Sequence, residues 1–234
     1  MRGKRNPIWW QTTVASAGNL TSAVYRIFGK PFSEEGKKLF GVPFAQFLKL
    51  NSEFRYHYRI DKNQMIASRI AGGVIWSYGN ATTAPYTEQF YIGGANSVRA
   101  FSARSIGPGG YPPETDRKYT YINHVGDIRI EANIEYRFRM IADLHGAVFL
   151  DAGNVWLMRK DENRPNGEFT LKNFPKQIAL GTGFGLRYDL DFLVFRLDLG
   201  IGLHDPYDTG KSGYYNIPKF KDSMALHFAI GYPF

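Results

Sequence analysis

The sequence predicts an all-β fold, a transmembrane antiparallel β-barrel built here from about eight strands and interrupted by one very long loop. Three observations lead there. Apolar and polar residues alternate with a period of two, which sends them to opposite faces of a strand but would scatter them around a helix. The alternation runs for ten or more residues at a time, where strands of ordinary domains average about five or six. The polar series is also too densely charged to face a packed core, so the apolar series is the one to explain, by lipid or, in a soluble barrel or sandwich of shorter strands, by a dry core.

The clearest segment is 127–140. Its even positions are Ile128, Ile130, Ala132, Ile134, Tyr136, Phe138 and Met140, and its odd positions carry six charges. Segment 46–60 sets Leu48, Leu50, Phe54, Tyr56 and Tyr58 against Lys49, Glu53, Arg55, His57 and Arg59. In 177–189, Ile178, Leu180, Phe184 and Leu186 oppose Gly181, Gly183, Gly185 and Arg187. In 191–203, Leu193 to Leu203 oppose Arg196, Asp198, Gly200 and Gly202, and in 222–234 Met224 to Phe234 form the apolar series. Segments 8–19, 64–76 and 144–157 follow the pattern less cleanly. No helix with convincing caps stands out, although 33–39 could form one turn. Basic Met1–Arg5 and Ala15-Ser16-Ala17 imitate a secretion signal, but the stretch between them is too short and polar, and a strand explains it better.

Composition narrows the classes further. The 234 residues include 29 Lys+Arg against 21 Asp+Glu, a net charge of +8, with 44% hydrophobic residues and no cysteine. Such a chain is neither disordered nor disulfide-stapled, and it lacks the 18 or more consecutive apolar residues of a membrane helix. A mean hydropathy of −0.33 resembles that of a water-soluble domain, yet alternating barrel strands average to the same value. The basic residues are spread over strands and loops, so nucleic-acid binding is not expected. The five histidines form no metal-ligand pair, no serine stands in a nucleophile setting, and Gly181-Thr182-Gly183-Phe184-Gly185 lies in a strand pattern with no following helix. No enzyme, metal or cofactor is expected.

Tight turns alternate with long connections, and residues 78–125 form a connection of 48 residues. Loops of that length are disordered or functional, and Phe90, Tyr91, Ile92, Val98 and Phe101 argue against disorder. Gly93 and Gly94 permit tight turns that would put Arg99 at the tip of a compact hairpin, where a guanidinium seeks a carboxylate.

Gly93-Gly94 followed by Val98-Arg99-Ala100-Phe101 resembles the Val-Arg-Gly-Phe/Tyr lid-loop motif of the outer-membrane assembly (bacterial surface antigen) superfamily. That family comprises BamA/TamA-like assembly factors and two-partner secretion transporters, and this chain is most similar to the BamA/TamA-like members of the Bacteroidetes type. Residues 133–138, Phe149-Leu150-Asp151-Ala152-Gly153-Asn154, 181–188 and Phe234 extend the resemblance over nearly the whole chain. The resemblance implies a sixteen-stranded barrel with the lid between its eleventh and twelfth strands. With three strands before the loop and five after it, residues 1–234 would be strands nine to sixteen, without the first eight strands and the POTRA repeats. Ala100 departs from the motif's glycine and would be strained if that position needed positive φ.

The resemblance also implies that Arg99 meets an acidic residue of the inner wall. Parity agrees: Phe149 and Asp151 share a face, and Glu135 lies on the polar face of the preceding strand. Asp151 could instead merely start a turn at 151–154. Phe234 reads as a terminal aromatic on the lipid-facing series, which the family uses as an insertion signal. Gly231 matches the glycine where the family's closing strand kinks to make a lateral gate, or it is simply small enough for a crowded lumen. The implied function is insertion of client β-barrels into the outer membrane. Its partners would be those clients, outer-membrane lipid and lipopolysaccharide, and accessory assembly subunits. A two-partner secretion pore and a free-standing eight-stranded structural or adhesive barrel are the alternatives.

Overall fold

The computed structural model describes residues 6–32, 35–112 and 123–234. Met1–Arg5, two residues of the 33–39 turn and part of the 78–125 loop therefore lie outside the described residues. Eight long strands form one sheet: β1 (Ile8–Ala17), β4 (Phe47–Arg59), β5 (Gln64–Ser77), β6 (Ile128–Ile141), β7 (Leu144–Trp156), β8 (Ala179–Asp189), β9 (Val194–His204) and β10 (Met224–Ile230). Every pair is antiparallel and consecutive in the chain, so the sheet is an up-and-down meander. Among the described residues β1 and β10 each pair with one neighbour, which leaves two open edges.

The alternating series fold inside out relative to a water-soluble protein. On β6, Glu131, Glu135 and Arg137 are buried, whereas Ile134 is 47% exposed. The exposed apolar series continues through Leu48, Leu50, Phe54, Ile70, Trp76, Val148, Leu150, Phe184, Leu197 and Phe228. Such a surface is stable only against hydrocarbon. Tight turns join β4–β5, β6–β7 and β8–β9 at one end, and all the long connections leave from the other.

Three departures from the sequence reading are local. A nine-residue helix, α1 (Asn19–Ile27), and a small hairpin, β2 (Lys38–Leu39) with β3 (Val42–Pro43), occupy the connection between β1 and β4. The 33–39 stretch thus contributes Lys38 and Leu39 to a strand. β10 stops at Ile230: the Gly231 amide still donates to Val194 O at 2.8 Å, but its φ of +84°, a region L-residues avoid, turns the chain out of the ladder beyond it. Phe234 consequently does not continue the lipid-facing series: it is buried, with its ring near the guanidinium groups of Arg69 and Arg137 at 5.8 and 5.6 Å.

The hydrophobic core lies inside the curve of the sheet. Phe90, Ile92, Val98 and Ile106 of the long loop pack against Phe47, Ile75, Val155 and Ala179 of the strands. Burial of these side chains, each worth roughly 1.5–3 kcal/mol for the larger ones, holds the loop against the inner wall.

Candidate functional site

The loop that carries the site turns twice. Gly93 and Gly94 take φ +95° and +90°, and a Cβ on Gly93 would stand 2.2 Å from the Ser102 carbonyl oxygen, so no other residue fits there. The Ser97 amide donates to Gly94 O at 3.1 Å and the Phe101 amide to Val98 O at 3.1 Å, while the Gly94 amide ties back to Phe101 O at 2.8 Å. Arg99 therefore follows the first turn, and the tip of the loop is near Asn96; no β-hairpin forms. Ala100 has no positive φ, so the alanine at the motif's glycine position is unstrained.

Arg99 is fully buried against two strands. Register places Phe149 opposite Glu135 and Asp151 opposite Asn133, which puts both carboxylates and the Phe149 ring on one patch of the inner wall. Asp151 accepts a two-pronged bond, from Arg99 Nε to Oδ2 at 2.8 Å and from Nη2 to Oδ1 at 2.9 Å, and its Oδ2 also accepts the Arg99 backbone amide at 3.1 Å. Arg99 Nη1 donates to Glu135, and the guanidinium carbon lies 3.6 Å from the centre of the Phe149 ring. Asn133 Nδ2 steadies the arrangement by donating to Asp151 Oδ1 at 2.9 Å and to Ser97 O at 3.0 Å. Burial opposes the charge of Arg99, but the hydrogen bond to Asp151 and the charges of Asp151 and Glu135 outweigh it, and the group is held protonated more firmly than usual. Asp151 lies within β7, so the local turn at 151–154 does not form.

The sequence reading missed much of the surrounding network. Arg187 bridges Glu135 at 3.2 Å and Asp198 at 2.6 Å, and Arg137 Nε donates to Glu135 Oε1 at 2.6 Å. Arg196 lies 3.5 Å from Asp198. At the loop tip, Asn96 accepts from Arg69 of β5 at 2.8 Å through its carbonyl and from Arg196 of β9 at 2.5 Å through Oδ1. The tip thus joins two strands that are four places apart in the sheet. Parity had placed Arg137, Arg187 and Arg196 on the inner face, but only the strand register selects their partners.

A second feature also needed three dimensions. A methyl on Gly200 would stand 2.2 Å from Arg99 O, and one on Gly181 would stand 2.2 Å from Ala100 Cβ. A methyl on Gly183 would meet the Phe149 ring at 2.4 Å. The glycines of β8 and β9 are therefore a floor on which the Val98–Phe101 backbone lies. Among the candidate site residues, Gly93, Gly94, Val98, Arg99, Ala100, Phe101, Glu135, Phe149 and Asp151 converge on this floor. Gly231 and Phe234 stand apart at the end of β10, where Arg137 Nη2 donates to Phe234 O at 3.3 Å and links the two regions.

An antiparallel meander with a lipid-facing exterior, a charged inner face and an arginine-bearing loop lodged against it has the architecture of an outer-membrane β-barrel wall with a long loop packed on its inner side. A model of the Omp85 superfamily domain matches residues 38–234, and the chain belongs to that superfamily. It is 28% identical over 204 residues to the outer membrane protein assembly factor BamA of Nitratidesulfovibrio vulgaris, covering 85% of this chain and 22% of that protein. Over 89 residues it is 29% identical to the same factor of Neisseria meningitidis serogroup B, covering 36% of this chain and 11% of that protein. Among solved structures, BamA from Haemophilus ducreyi lacking POTRA domains 1–3 superposes with a TM-score of 0.54 at 16% identity, over 79% of this chain and 35% of that one. The chain thus spans about a fifth of the length of the first of these relatives. Membership of this superfamily agrees with the expectation of a non-enzymatic outer-membrane protein.

Proposed function

We propose that this chain is the closing half of an outer-membrane assembly barrel, strands nine to sixteen, and that it inserts client β-barrel proteins through a lateral gate at β10. The observation that carries the reading is the pair of open edges on a sheet whose outer face is apolar. Unpaired strand edges are intolerable in hydrocarbon, so β1 and β10 require further strands of the same barrel. β10 offers only seven laddered residues before Gly231 breaks it, which makes the weakest edge the one that can open and template an incoming strand. Arg99, Asp151, Glu135 and Phe149 would latch the lid inside the lumen and keep the wall rigid while the gate exchanges partners. Accessory assembly subunits and outer-membrane lipid would act at other faces of the complete protein.

Site-specific photocrosslinking from position 227 or 228 of β10 tests the proposal in cells producing the full-length protein. Adducts with nascent outer-membrane barrel proteins are expected. Adducts confined to the protein's own first strand, or formed with a secreted polypeptide threading the lumen, would overturn it, the latter in favour of a secretion pore.

A further inference from the structure

The connection between β1 and β4 carries an apolar surface that nothing among the described residues covers. On α1, Leu20, Val24 and Ile27, with Phe28 at its end, recur at the spacing of one helical stripe and are all exposed. Phe40 at the tip of the β2–β3 hairpin is 97% exposed, with Leu39 and Val42 beside it.

The opposite face of the helix shows which way this stripe points. Ser22, half a turn round from the stripe, is buried and donates to Gln46 Oε1 at 2.9 Å, and Asn19 Oδ1 accepts from the Tyr78 hydroxyl at 2.8 Å. Gln46 and Tyr78 extend the β4–β5 ladder by one pair, since the Tyr78 amide donates to Gln46 O at 3.0 Å. By strand parity both belong to the series of Leu48, Leu50 and Trp76, the lipid-facing series. The helix therefore sits on the outside of the sheet, at the rim from which the long loops leave, and turns its apolar stripe further outward. Lys37 fastens the platform: its buried ammonium donates to Ser22 Oγ at 3.1 Å, to Pro31 O at 3.3 Å and to Phe32 O. The exposed charges nearby are Arg26, Lys30 and Lys38, against Glu35 among the described residues.

We propose that α1 and the β2–β3 hairpin are an interfacial anchor that rests in the outer leaflet beside the barrel wall. The apolar stripe lies at the boundary of acyl chains and headgroups, continuous with the lipid-facing belt of β4 and β5, and Arg26, Lys30 and Lys38 meet anionic lipid phosphates. A short amphipathic helix with a basic margin is suited to that depth, about 5–10 Å into the interface. The anchor rests on the membrane reading of the sheet and adds a second, in-plane contact to it.

Nitroxide labels test it in the full-length protein reconstituted into phosphatidylethanolamine vesicles with and without phosphatidylglycerol. This chain has no cysteine, so labels at Ile27→Cys, Phe28→Cys and Phe40→Cys are unique within it. Leu150→Cys, in the middle of the lipid face of β7, reports on the bilayer independently. The expected result is severalfold greater accessibility to oxygen than to a nickel chelate at positions 27, 28 and 40, at a shallower depth than position 150. Phosphatidylglycerol should deepen these labels, and Arg26→Gln with Lys30→Gln and Lys38→Gln should abolish that response. Labels open to nickel, labels shielded from both reagents by protein, or no dependence on lipid charge would overturn the anchor. A Leu150→Cys label open to nickel would instead overturn the membrane reading of the sheet.

Discussion

Gly200→Ala is the sharpest perturbation of the lid, because it adds one methyl and removes no polar group. That methyl would stand 2.2 Å from Arg99 O, 2.6 Å from Arg99 C and 2.7 Å from Ala100 Cα, all backbone atoms without rotamers to escape through. Carbon contacts are comfortable at roughly 3.5–4.0 Å, so the loop must withdraw by more than about 1 Å. The bonds from Arg99 to Asp151, now 2.8 and 2.9 Å, would then open toward about 4 Å and cease to be hydrogen bonds. Withdrawal relieves the overlap at the expense of the two bonds, each worth about 1.5–3 kcal/mol to a charged group, so the loss is at least about 3 kcal/mol. A net loss near 3 kcal/mol is a shift of roughly a hundredfold in the closed population, at about 1.4 kcal/mol per tenfold. Hydrogen exchange of the 92–104 amides reads this directly, with Gly72→Ala as the control, since a methyl there meets only Arg129 O at 3.8 Å. Faster exchange in Gly200→Ala alone is expected. Unchanged exchange, or equal behaviour of the two variants, would refute the floor.

Phe149→Ala removes the ring beneath the Arg99 guanidinium and should loosen the same amides, whereas Phe149→Tyr, which keeps the ring face, should largely preserve them. Asn96→Ala removes the Oδ1 acceptor of Arg196 but keeps the backbone carbonyl that Arg69 bonds, and labels on the loop tip and β9 should show a broader distance distribution by electron spin resonance. Burial raises the Asp205 carboxyl above its usual range, only partly offset by its hydrogen bond with Tyr207. A raised acid favours the folded loop when protonated, so the 205–217 connection should gain protection from proteolysis as pH falls through that value. Asp205→Asn should confer the same protection at neutral pH and remove its pH dependence.

The strands were legible because lipid outside and charge inside impose a strict period of two, which no helix mimics over fourteen residues, as in β6. The meeting of Arg99, Asp151 and Glu135 was foreseeable from parity together with the motif resemblance. Other features were hidden for identifiable reasons. α1 has Gly18 as its N-cap, with no side-chain hydrogen bond, and so lacks the Ser, Thr, Asp or Asn that announces a helix start. In 224–234 the alternation continues through Gly231 in the sequence, but the positive φ there breaks the parity that placed Phe234 in lipid. Arg187, Asp198, Arg196 and Asn96 were visible as inner-face or loop polar residues, but their partners come from strands distant in sequence. The glycines of β8 and β9 looked like filler for a narrow lumen until the loop was seen to lie on them.

The central claim is that Arg99 and Asp151 hold the lid to the inner wall as one unit. A double-mutant cycle on the full-length protein, Arg99→Ala with Asp151→Ala, measures this through urea unfolding followed by heat-modifiable gel mobility. Arg99→Ala leaves the buried Asp151 carboxylate without its cation and should cost about 3–5 kcal/mol, whereas Asp151→Ala leaves Arg99 its bond to Glu135 and should cost less. The pair should couple by at least about 1 kcal/mol, the double variant being much less damaged than the sum of its parts. Losses that add to within about 0.5 kcal/mol would contradict the account.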